Sequence, residues 1–230
     1  MSERQVEREH GRRSLTATTA VVIAYAIAMG YLEAAVVVYL RRALGIDPGA
    51  LFPLHDDGGL LALGPIELGR ELATLVMLAA VGWLTGAGRI ERLAWTAVAF
   101  GTWDIAYYGW LWVLVGWPPS ATTWDILFLV PVPWVGPVWA PVAVSAALIG
   151  FGLLTARRLR AGGAVTIGPG QLAGGLAGGV LVILSFTLDA GNILAGGIPK
   201  GWAWPLFVAG MALALLAAGT ALRPPRRRPV

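Results

Sequence analysis

The sequence predicts an all-α, polytopic integral membrane protein, with six transmembrane helices and a proline-broken segment before the fourth. Three observations carry that reading. Of 230 residues, 57% are hydrophobic and only 13% charged, and the mean hydropathy is +0.71; a soluble domain carries about 25% charged residues. Apolar runs of about 20 residues, long enough to cross ~30 Å of hydrocarbon, recur along the chain. The arginines gather at the ends of those runs, where they set orientation in the bilayer. The net charge of +4 therefore implies a lipid partner and no nucleic acid.

Taken in order, residues 1–14 mix Glu3, Arg4, Glu7, Arg8, Glu9, Arg12 and Arg13, and are expected as a short cytoplasmic tail or interfacial helix. The first span covers about 15–40 and ends at Arg41-Arg42. It is long for a signal sequence and shows no small-residue cleavage site, so it reads as an uncleaved span. A loop follows with the turn signal Asp47-Pro48-Gly49 and then His55-Asp56-Asp57. The second span, about 60–84, carries Glu67, Arg70 and Glu71. A basic turn leads to the third, about 93–115, which contains Trp103-Asp104 and Tyr107-Tyr108.

Pro131, Pro133, Pro137 and Pro141 interrupt the next stretch, since proline removes a backbone donor and kinks or ends a helix. A half-helix or re-entrant piece is expected over 125–131, then a bend to Pro137, then the fourth span at about 138–156. Arg157, Arg158 and Arg160 close it. A Gly-rich linker precedes the fifth span, about 171–195, whose Gly174-Gly175 and Gly178-Gly179 allow close helix packing. The sixth span covers about 202–222, and 223–230 is a basic tail. Residues 15–222 thus form a single transmembrane domain. Five tryptophans, at 112, 117, 124, 202 and 204, are expected as an aromatic belt at one boundary.

With the N-terminus in the cytoplasm, cytoplasmic segments hold thirteen Lys and Arg and external ones three. The positive-inside rule then predicts a cell inner-membrane protein with both termini cytoplasmic.

That topology sorts the intramembrane charges. An ionised group in hydrocarbon costs at least ~2.5 kcal/mol, so such groups tend to be paired, inward-facing and functional. Glu33, Glu67, Arg70, Glu71, Asp104, Tyr107, Tyr108, Asp189 and Asn192 all fall from mid-depth outward. They predict one polar cavity that binds a ligand or proton and opens to the external side, with His55, Asp56 and Asp125 at its mouth. Glu33, alone in its span, is expected to find Arg70 or a proton. Each group also has a purely structural reading: an ion-pair network at Glu67, Arg70 and Glu71, a Tyr–Asp bond at Asp104 and Tyr107, a helix cross-link at Asp189 and Asn192, a helix cap at Asp125. Thr-Trp-Asp-Ile occurs twice, at 102–105 and 123–126, which reads as coincidence in a Trp-rich chain.

The absence of cysteine removes disulfides and thiolate metal sites. The two histidines, His10 and His55, lie outside the apolar runs, so no haem is expected in the bundle. Carboxylate ligands would suit Mg²⁺, Ca²⁺ or Mn²⁺, with Glu67, Glu71 and Asp104 as the candidate set. The Glu67-x-x-x-Glu71 pattern is similar to one motif of undecaprenyl-diphosphate phosphatases. That resemblance covers five residues, and the family's Ser/Arg-rich phosphate loop is missing, so no activity follows from it.

Three function classes remain. First is a proton- or cation-coupled carrier or binding protein for a small solute. Second is a membrane-embedded enzyme acting on a lipid-like substrate at the outer leaflet. Third is a non-catalytic subunit or assembly factor of an oligomer or larger complex. A carrier needs a polar path to the cytoplasm, and an enzyme for lipids needs a lateral opening.

Overall fold

Hydrocarbon leaves backbone amides no partner but one another, and apolar runs of this length accordingly fold as helices. The computed structural model describes residues 3–43, 45, 59–129 and 131–223, with side chains from residue 15 in the first helix and from residue 64 in the second. In chain order the elements are α1 (Glu3–Ala43), α2 (Gly59–Thr85), α3 (Arg89–Val115), β1 (Trp124–Phe128), β2 (Trp134–Pro137), α4 (Trp139–Arg160), α5 (Pro169–Thr187), α6 (Ala190–Leu194) and α7 (Trp204–Ala221). Five segments are long and apolar enough to cross a membrane: Leu15–Ala43, Gly64–Thr85, Trp139–Arg160, Pro169–Leu194 and Trp204–Ala221. The protein is thus a multi-pass, mostly helical membrane protein. The expected third span, α3, is of similar length, but its tryptophans, tyrosines and charged first turn lower its hydropathy.

Helix α3 is the centre of the molecule. It packs against α4, α1 and α2, running parallel to α1 and antiparallel to the other two. Two glycines allow the α3–α4 approach. A Cβ at Gly101 would lie 2.5 Å from the Ser145 carbonyl oxygen, and one at Gly152 would lie 2.5 Å from that of Ala94. We call the end where α1, α3 and α5 begin proximal and the opposite end distal. The proximal half is filled by Val22, Ala26, Leu78, Trp95, Val98, Ala99 and Ala156, with Met29 and Trp103 at its upper edge. The distal half holds Ala34, Val38, Tyr108, Leu111, Trp117 and Val138.

Helices α5 and α7 form a separate antiparallel arm. Gly178 and Gly210 oppose each other: a Cβ at either would sit 2.7 Å from the other's carbonyl oxygen. The arm joins the rest chiefly at the distal end, where Phe186 and Phe207 pack with Trp134, Trp202 and Ala140.

Two expectations need correction. Residues 125–131 are not a half-helix: β1 and β2 form an antiparallel hairpin pairing Trp124 with Pro137 and Asp125 with Gly136. Trp124, Ile126, Phe128, Trp134 and Val135 favour strand, and the prolines block helix, so a hairpin closes the backbone bonds that a broken helix would leave open. The span expected over 171–195 is found at Pro169–Leu194, with α5 ending at Thr187 and a short α6 resuming at Ala190. Helix α1 is continuous from Glu3, and its apolar stretch begins at Leu15. Finally, the tryptophans do not form one belt. Trp112 and Trp204 are exposed, but Trp117 is buried beneath Arg41 and Trp202 packs in the arm's aromatic cluster.

Candidate functional site

The distal half of α2 carries the ion cluster, and the helical repeat explains its geometry. Glu67 and Arg70 are three residues apart on one face, so Arg70 Nη2 meets Glu67 Oε2 at 2.8 Å and Nε meets it at 2.8 Å. The other edge of the guanidinium reaches across to Glu33 on α1, forming an ion pair. Thr74, one turn further along α2, donates its hydroxyl to Glu33 Oε2 at 3.3 Å. One guanidinium therefore serves two carboxylates, and the expected Glu33–Arg70 pairing is present.

Glu71 faces the hairpin. Its two oxygens accept the Leu129 N–H at 3.1 and 3.0 Å, which ties the end of β1 to α2. Arg70 lies within electrostatic reach of Glu71 and Tyr107. The hairpin is tied a second time by Tyr108, whose hydroxyl donates to Asp125 Oδ2 at 2.9 Å, both groups being buried. Asp125 is thus an interior residue, not a helix cap or part of a cavity mouth. Asp104 accepts a bond from Ser145 of α4 at 2.8 Å, so its partner is not Tyr107. The two Thr-Trp-Asp-Ile copies place their aspartates on a helix and a strand, without structural correspondence.

Asp189 and Asn192 lie apart, beyond α5. Asn192 Nδ2 donates to Asp189 Oδ2 at 3.2 Å and to the Ile198 carbonyl at 2.9 Å, which closes the turn into α7. His55 and Asp56 lie outside the described residues, as does their neighbour Asp57. Glu67, Glu71 and Asp104 turn to three different partners, and among the described residues no three His, Cys, Asp or Glu side chains gather as metal ligands would.

Beside the ion cluster, α1 and α2 touch only sparsely and leave a groove of about 370 Å³. Its walls are Tyr25, Ala28, Met29, Leu32 and Val36 from α1, and Ala73 and Met77 from α2. Among these lining residues Glu33 and Arg70 are charged, and Thr74 and Tyr25 carry hydroxyls. Leu32, Val36 and Met77 of its walls are exposed, so the groove lies open at the surface of the helix pair.

A second network, not anticipated from sequence, closes the proximal end. Glu91 is buried and accepts from Arg160 Nε at 2.8 Å, Trp95 Nε1 at 3.2 Å and the Ala87 N–H at 3.1 Å. Arg160 Nη1 continues to Thr18 Oγ1 at 3.1 Å, so α1, α3 and α4 are joined at one point. Glu91 precedes the apolar part of α3. Burial works to raise its carboxyl, but the bonds from Arg160, Ala87 and Trp95 outweigh that and hold it below the ordinary carboxylate range.

No protein-family model matches the chain, and comparison with curated proteins and with solved structures gives no match.

Proposed function

We propose that this chain is a membrane-embedded binding protein for an amphiphilic, lipid-like ligand, taken up sideways from the outer half of the bilayer. The observation that carries this reading is the α1–α2 groove, apolar along its length and charged only where Glu33, Arg70 and Thr74 meet it. About 370 Å³ lies within the range of small-ligand sites, and a few polar groups in an apolar wall are how such sites fix orientation.

The same geometry favours binding over translocation. Below the ion cluster the proximal half is packed with Val22, Leu78, Trp95 and Val98, and the Glu91–Arg160 network ties its end. We place the proximal end in the cytoplasm, on the strength of the thirteen-to-three distribution of basic residues. On that reading α3 completes the six spans: Trp95, Val98, Ala99, Trp103 and Leu111 are enclosed by its neighbours, while Leu93, Trp112 and Val113 stay exposed.

The test uses the full-length protein in maltoside micelles, with a pyrene-labelled long-chain alcohol as probe. The expected result is saturable binding at one probe per chain. Ala73→Leu, which fills the groove at an exposed wall position, should weaken binding about tenfold, corresponding to ~1.4 kcal/mol, without lowering the melting temperature. Unsaturable partitioning, or binding indifferent to Ala73→Leu, would sink the reading.

A further inference from the structure

The charge count at the groove says what kind of head group the ligand carries. Arg70 is shared between Glu33 and Glu67 and also lies within electrostatic reach of Glu71, so carboxylates outnumber the one guanidinium here. Among the described residues neither Glu33 nor Glu67 pairs with a second cation; Thr74 gives Glu33 only a hydroxyl. An anionic head would have to take Arg70 from two carboxylates already holding it. A cationic head would meet Glu33 at the groove wall and supply the missing positive charge, an attraction strengthened by the low dielectric around it.

Volume narrows the class further. At ~30 Å³ for a water-sized group, about 370 Å³ accommodates roughly a dozen such groups. That suits one alkyl chain of about a dozen carbons. We infer that the α1–α2 groove selects a free single-chain amphiphile with an ammonium head, seated with its nitrogen beside Glu33 and its chain running toward Met77 and Tyr25. This inference rests on the binding reading above and adds the chemistry of the head.

The experiment compares three pyrene-labelled amphiphiles of equal chain length, with trimethylammonium, hydroxyl or carboxylate heads. Binding to the full-length protein is measured in nonionic maltoside micelles, with empty micelles subtracted. The expected result is one saturable site that takes the ammonium probe about tenfold more tightly than the hydroxyl probe, and the carboxylate probe most weakly. Glu33→Gln should remove the ammonium preference, so that the ammonium and hydroxyl probes bind alike to the variant. A site that binds all three alike, or prefers the carboxylate, overturns the inference and leaves the groove reading intact. Absence of saturable binding by every probe overturns both. If Glu33→Gln fails to fold, the ranking of the three heads on the unaltered protein still decides.

Discussion

At the scale of single residues, Glu91 offers the cleanest titration. Its carboxyl is held below the ordinary range by Arg160, Ala87 and Trp95 in spite of burial, so the folded value lies under the unfolded one of about 4.3. A depressed acid stabilises the fold above its unfolded value, and that contribution disappears as pH falls through the folded value. The protein should therefore melt at progressively lower temperature once the pH drops below about 4.3. Glu91→Gln should cost about 2 kcal/mol at neutral pH, by weakening a charge-assisted bond, and should flatten the acid limb of the melting curve. An unchanged acid limb in the variant would assign the effect elsewhere. Glu71 makes a different prediction. Glu71→Leu deprives the Leu129 N–H of its acceptor and should cost about 1–3 kcal/mol, whereas Glu71→Gln keeps an acceptor and should cost less, as equilibrium unfolding would report. At this scale the sequence was informative where partners share a helix turn, as at Glu67 and Arg70. It was silent where they come from distant segments. Glu91 and Arg160 are 69 residues apart, and Ser145 and Thr74 looked like ordinary hydroxyls in apolar helices.

Among the elements, the α5–α7 pair shows how much a glycine's neighbour matters. Gly174 and Gly178 face Ala217, Ala214 and Gly210, whereas Gly175 and Gly179 face open space. Gly178→Ala should destabilise the protein by about 1–3 kcal/mol through overpacking. Gly175→Ala should be neutral or stabilising by up to ~1 kcal/mol, from helix propensity alone. Thermal unfolding of the two variants side by side checks this, and equal effects would contradict the packing described. The glycine pairs were visible in the sequence, but which of each pair faces α7 depends on a rotation that apolar surroundings do not encode. Helices were legible for the same reason that orientation was not: uniform hydrophobicity announces a span and hides its faces. The β1–β2 hairpin escaped because four prolines mark a break without saying what fills it. Its anchors, Asp125 to Tyr108 and Leu129 to Glu71, are tertiary.

For the molecule as a whole, the cysteine-free sequence makes topology directly testable. A membrane-impermeant thiol reagent applied to intact cells should label Ser120→Cys and Lys200→Cys, both in exposed segments at the distal end, and should spare Ala164→Cys at the proximal end. Labelling of Ala164→Cys alone would invert the orientation and move the ion cluster to the cytoplasmic leaflet. The one-ended attachment of the α5–α7 arm has a mechanical consequence. Helix α5, 19 residues and so about 28 Å long, packs along α7 through Gly174 and Gly178, and the pair is clamped to the rest of the protein by aromatic rings near the C-terminal end of α5. It is a lever: a tilt of roughly 5° at the clamp sweeps its far end through about 2.5 Å, a distance set by that length. The cross-section of the protein is therefore more compliant at the proximal end than at the distal end, which is the inner-leaflet end under the proposed orientation. Lateral pressure in the inner leaflet alone would then register as a change in the spread between spin labels at Leu154→Cys and Leu176→Cys, with the α3–α4 pair Leu93→Cys and Leu154→Cys as the unmoving ruler.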